Sequence, residues 1–109
     1  MKRIRYAGGS FVTGDGIADA VLDYAAELAN AGKAAKVDVP AVDLEQRSQR
    51  VSLVIGPSSQ LMAEPVASDR ELEDGAFTDK LVRRTRVLQS KSGTFDGGDL
   101  ASFEDLDGL

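Results

Sequence analysis

Residues 2 to 32 read KRIRYAGGSFVTGDGIADAVLDYAAELANAG. Two periodicities meet in this stretch. From Lys2 to Ala7 apolar and polar residues alternate, with Ile4 and Tyr6 on one side and Arg3 and Arg5 on the other, the period of a strand. Gly8-Gly9 interrupts, and Ser10 to Thr13 resumes an extended run. Two short runs about a Gly-Gly pair predict a two-residue hairpin, because primed turns need φ > 0 at their central positions. A glycine bulge inside one longer strand is the alternative. From Ile17 the spacing changes. Ile17, Val21, Tyr24 and Leu28 recur every three or four residues, and Ala18, Leu22, Ala25, Ala26 and Ala29 widen the stripe. That pattern predicts an amphipathic helix over about 16 to 31, packed closely on a sheet. Thr13 or Asp15 is the expected N-cap, and Gly32 stands where a left-handed C-terminal cap belongs.

Downstream the signals are shorter. Lys36 to Leu44 alternate, with Val37, Val39 and Ala41 on one side. Pro40 lacks a donor, which predicts an edge strand or a strand that ends there. Glu45 to Arg50 reads as a turn, Val51 to Ile55 as a buried strand, and Gln60 to Glu64 as a further short one before Pro65. Ser68 or Asp69 is the expected start of a second helix over about 70 to 90, with Leu72, Phe77, Leu81, Val82 and Leu88 on its apolar side and Gly75 as a point where it could split. The resulting order, β-β-α-β-β-β-α, predicts an α+β fold with a mainly antiparallel sheet covered by helices. Residues 1–90 form the expected domain, and 91–109, rich in Gly, Asp and Ser, the expected flexible acidic tail.

Composition removes several chemistries. The chain has 109 residues, no cysteine and no histidine. Thiol chemistry, histidine general bases and the usual zinc sites are therefore unavailable to its own side chains. Neither S-x-x-K nor G-x-x-x-x-G-K-[ST] occurs. No stretch approaches the roughly 20 apolar residues of a membrane span, and no secretory signal is visible, so a cytoplasmic location and no membrane association are expected. Of the net charge of −5, most sits at the end: after Ser90 one Lys faces Asp96, Asp99, Glu104, Asp105 and Asp107. A nearly neutral body offers no general field for nucleic acid, which is not the favoured partner.

Few motifs compete for a role. Gly14-Asp15-Gly16 follows a strand and opens a helix, the setting of a dinucleotide fingerprint, but the third position is Asp19 and Asp15 would repel pyrophosphate. Turn and cap chemistry is the better reading. Asp19, Asp23 and Glu27 form an i+4 row, which reads as a solvated helix face before it reads as a cation site. Gly56-Pro57-Ser58-Ser59 reads as a turn, without the elbow or base a serine nucleophile needs. No catalytic, cofactor or metal residue is assigned. The least bland features are KLVRRTR, with Lys80, Arg83, Arg84 and Arg86, and LASFEDLDGL, where Leu100, Phe103, Leu106 and Leu109 recur every three residues between acids. Leu100, Phe103, Leu106, Leu109, Arg83 and Arg84 are the candidate partner-binding residues. The expectation is a non-enzymatic domain that binds a protein or a second copy of itself. The alternative is a small-ligand-binding domain or weak enzyme using carboxylates and Arg.

Overall fold

The computed structural model describes residues 1–93; the four apolar residues of the expected tail, Leu100, Phe103, Leu106 and Leu109, lie outside them. The elements are β1 (Lys2–Tyr6), β2 (Gly9–Thr13), α1 (Asp15–Ala31), β3 (Ala35–Val42), β4 (Ser48–Ile55), β5 (Met62–Pro65) and α2 (Gly75–Gly93). The strands make one antiparallel sheet in the order β4-β3-β2-β1-β5. Helices and strands close on a core of Ile4, Phe11, Ile17, Val21, Tyr24, Leu28, Val37, Val39, Leu53, Ile55, Phe77 and Leu81. Each such aliphatic or aromatic side chain, fully buried, stabilises the fold by about 1.5–3 kcal/mol. The α+β class and the element order are those the sequence predicts.

The first hairpin forms one residue earlier than expected. Tyr6 pairs with Gly9, so Ala7 and Gly8 are the central pair, and only Gly8 has positive φ, at 85°. With φ > 0 confined to the second central position, the turn is not a primed one. The α1 stripe is as predicted: Ile17, Ala18, Val21, Tyr24 and Leu28 are buried. At its end Gly32 adopts φ 66°, donates to the Ala29 carbonyl, and leaves the Leu28 carbonyl for the Lys33 amide. This double closure satisfies carbonyls that would otherwise be orphaned.

The start of α1 corrects the expected caps. Gly14, in extended conformation, holds the N-cap position and supplies no side-chain bond. Thr13 is instead buried in the sheet, and its hydroxyl donates to the Pro40 carbonyl at 2.6 Å. The free amide of Asp15 donates to the Glu71 carboxylate at 2.6 Å, across 56 residues of chain. The loop that carries Glu71 lies so close that a Cβ on Gly14 would stand 1.7 Å from the Leu72 carbonyl oxygen. Only glycine fits there.

Pro40 also requires a correction. β3 is not an edge strand; it lies between β4 and β2. Eight pairs join β3 to β4, from Ala35↔Ile55 to Val42↔Ser48, whereas one pair, Val12↔Val42, joins β3 to β2. Proline is tolerated because its missing donor faces the side where the ladder is absent, and the Thr13 hydroxyl serves its carbonyl there. The second helix starts later than expected. Gly75 begins it rather than splitting it, and Asp74 accepts the Phe77 amide at 3.1 Å as its cap. Leu72 therefore lies in the preceding loop, half-buried against the core. The helix continues past Ser90 to Gly93, three residues into the segment read as tail.

Candidate functional site

Backbone parity along the sheet shows what each edge offers. The Asp43 amide donates to the Arg47 carbonyl at 2.9 Å. Because bonding direction alternates along an antiparallel pair, Ala41, Val39, Val37 and Ala35 then bond towards β4, and Val42 and Pro40 do not. Their partners Ser48, Arg50, Ser52 and Val54 consequently turn their N–H and C=O groups outwards, away from β3. These four residues are exposed, Val54 to 75%. Among the described residues no hydrogen bond engages the amides of Arg50, Ser52 or Val54 from outside the sheet. Among the described residues β4 is thus a long strand with an open backbone edge.

The inner end of this edge meets apolar ground. Val54 and Ile55 line a depression of about 500 Å³ with Tyr6, Ser58 and Leu61. Tyr6, Ser59, Gln60 and Leu61 also border a second one of about 720 Å³, walled by Leu22, Ala25, Ala26 and Ala29 of α1. Small side chains on that helix face leave the space.

A different surface lies between α2 and the β3–β4 ribbon. Lys36, Asp38, Arg50, Phe77, Lys80 and Arg84 line a groove of about 340 Å³. Strand alternation places Lys36 and Asp38 on one side of β3, and the register sets Ser52 beside Asp38. One helical turn separates Lys80 from Arg84. The Ser52 hydroxyl donates to the Asp38 carboxylate at 2.6 Å. That bond first, with Lys36, Arg50 and Lys80 nearby, holds the Asp38 pKa below the usual carboxylate range. Of the four cations, Arg50 approaches Asp74 at 3.9 Å; Lys36, Lys80 and Arg84 have no ion pair among the described residues. Arg84 of the candidate set therefore lines a groove. Arg83, its neighbour, is exposed on α2 and does not line it.

The sequence pattern gave no sign that Lys36 and Arg50 would face α2. Both read as polar members of alternating strands, and only the tertiary fold brings them beside Lys80.

The other motifs resolve into structure. The start of α1 already holds a carboxylate, that of Glu71, where a phosphate would lie. In the acidic row Asp19 pairs with Lys2 at 2.8 Å and Glu27 accepts from Gln89. No metal-competent cluster occurs among the described residues. The Ser59 hydroxyl accepts the Gly56 amide at 2.9 Å and closes its own turn.

Among the described residues three carboxylates are displaced, all downwards. Bonds from Ser52 lower Asp38, backbone amides of Arg47 and Glu45 with the Arg47 guanidinium lower Asp43, and Arg5 lowers Glu64. Arg5 grips Glu64 through two parallel bonds of 3.1 and 3.0 Å. No helix of the described residues is long and apolar enough to cross a membrane. No protein-family model matches the chain, and no match is found among curated proteins or solved structures.

Proposed function

We propose that the domain acts by binding a protein, through addition of an extended segment to the free edge of β4. The observation that carries this reading is the run Ser48, Arg50, Ser52 and Val54, whose outward N–H and C=O groups form a template for one more strand. Backbone bonds supply affinity in such contacts, and side-chain pockets supply selectivity. The depression at Val54 is placed to take a side chain of the added segment.

The enzymatic alternative has less support. A general acid at neutral pH needs a carboxyl whose pKa is raised. The displaced carboxylates among the described residues are lowered, Asp38 chiefly by Ser52, Asp43 by bonds that include Arg47, and Glu64 by Arg5. A second copy of the chain is the simplest partner, because two β4 edges can pair antiparallel about a two-fold axis.

Val54→Pro tests the reading. The Val54 amide faces outwards, so proline there leaves the β3–β4 ladder intact and blocks an added strand. Sedimentation should find wild type associating as concentration rises and Val54→Pro monomeric. Association of Val54→Pro at wild-type strength would exclude the β4 edge. A wild-type chain that stays monomeric would exclude the second copy and leave a strand-donating partner.

A further inference from the structure

We infer that the acidic C-terminal segment, residues 94–109, docks on the cationic groove between α2 and the β3–β4 ribbon. The charge of the chain is partitioned. Residues 1–93 contain 13 Lys and Arg and 13 Asp and Glu, so they balance. The last 16 residues contain Asp96, Asp99, Glu104, Asp105 and Asp107 and no base. The whole net charge of −5 belongs to that segment.

Within the balanced part, the cations are unevenly used. Lys2 and Arg5 each meet a carboxylate within 3.0 Å. Lys36, Lys80 and Arg84 surround the groove with no ion pair among the described residues, and Arg50 holds only the 3.9 Å contact with Asp74. Asp38 is the single acid in the lining, and it is already taken by Ser52. The lining of the groove therefore keeps an excess of positive charge. Phe77 and Leu81 give it an apolar floor. The segment carries the matching combination, with Leu100 and Phe103 next to Glu104 and Asp105.

Geometry allows the contact within one chain. α2, which forms one wall, ends at Gly93, where the segment begins. Arg84 lies roughly 14 Å back along the helix, at about 1.5 Å per residue, and Phe77 about 24 Å back. The 11 residues from Gly93 to Glu104 can span up to about 36 Å, so the acids reach Arg84 and Lys80 without strain. A tether of this length gives a local concentration in the millimolar range, which favours the chain's own segment over that of a second copy.

The chain has no cysteine, so Ser102→Cys provides a unique attachment point for a nitroxide on the full-length protein. The probe broadens backbone amides near it. In about 0.01 M salt, amides of Lys36, Lys80 and Arg84 should lose most of their intensity, while those of the Ala7-Gly8 turn keep theirs. In about 1 M salt, where the screening length falls from about 30 Å to about 3 Å, the intensity should return. The double variant Lys80→Gln/Arg84→Gln alters two exposed side chains, so its amide spectrum should remain that of the folded chain and the broadening should disappear. Broadening that is absent, evenly spread, or unchanged in the double variant would overturn the inference. At a concentration where sedimentation finds the chain monomeric, a sample mixing an isotope-labelled chain lacking the nitroxide with an unlabelled chain carrying it should show no loss at the groove. Loss there would assign the contact to a second copy and overturn docking within one chain.

Discussion

β5 and β4 close the same sheet on opposite sides and treat their outer backbone differently. The Val66 amide donates to the Met1 carbonyl at 3.0 Å, so parity turns Glu64 and Met62 towards β1 and Ala63 and Pro65 outwards. That edge offers one amide, from Ala63, because Pro65 has none. It is four residues long, and Glu64 is locked to Arg5 and approached by Arg3 at 3.7 Å. Shortness, proline and charge are the usual protections of an edge. β4 has eight residues, four outward amides and no proline, and its one basic residue there is Arg50. This contrast between the two edges of one small sheet is what the proposed role of β4 rests on.

The chain that follows β5 also pins its edge, and the largest predicted effect attacks that pin. Gly14→Ala would drive a methyl group into the Leu72 carbonyl and displace the loop that caps α1 with Glu71. Urea unfolding should record a loss of about 3 kcal/mol, the upper end for forcing atoms into a packed site. Hydrogen exchange should quicken at Met62 and Glu64 more than in β4. Equal quickening at both edges would sever the link between the loop and β5.

A pair of proline variants measures the two edges directly. Met62→Pro removes an amide that bonds inwards to β1 and should cost about 2 kcal/mol, because a strand carbonyl loses its donor. Val54→Pro removes an outward amide and should change stability by less than about 0.5 kcal/mol. Equal losses would refute the parity on which the contrast rests. Gly8→Val acts on the hairpin that both halves share. A β-branched residue at φ 85° should cost about 1 kcal/mol or more, with the exchange difference between the edges preserved.

The smallest effect separates charge from backbone at β5. Arg5 holds the Glu64 pKa below its ordinary value, so the pair stabilises the fold above the unfolded carboxyl's range, near pH 4.3, and loses that contribution as pH falls through the folded value. Glu64→Gln should therefore have a lower Tm than wild type at pH 7, and the gap should close on acidification. A gap that persists well below pH 4 would mean that Glu64 acts through packing.

Local signals were sufficient where the interactions are local. Ile17, Val21, Tyr24 and Leu28 face one core from one helix, and Gly32 closes that helix within four residues, so spacing alone predicts both. The hairpin was visible too, although Gly8-Gly9 could not show which glycine would take positive φ. Pro40 misled because a missing donor predicts an edge, whereas here the ladder fails only on the β2 side of β3. Glu71 was invisible as a cap for α1, being 56 residues from Asp15. The same holds for the groove. Lys80 and Arg84 announce themselves in KLVRRTR, but Lys36 and Arg50 join them only through the β3–β4 register and the placement of α2. Of the groove, the sequence therefore showed the helical half; the edge it misread, because Val51 to Ile55 reads as a buried strand whereas β4 ends the sheet and Val54 is exposed.

The pairing of β1 with β5 has a consequence for the time course of assembly. β1–β2 and β3–β4 form across short turns, whereas the Arg5–Glu64 contact spans 59 residues. Closing so long a loop costs entropy that only later contacts repay, so β5 should join after the transition state, once both hairpins and α1 are in place. Ala63→Gly should then speed unfolding and leave the refolding rate almost unchanged; a slowed refolding rate would place β5 in the nucleus. While β5 is absent, β1, paired only with β2, presents its other backbone edge to the solution. The folding chain thus passes through a stage with two open borders, and among the described residues one of them, that of β4, stays open.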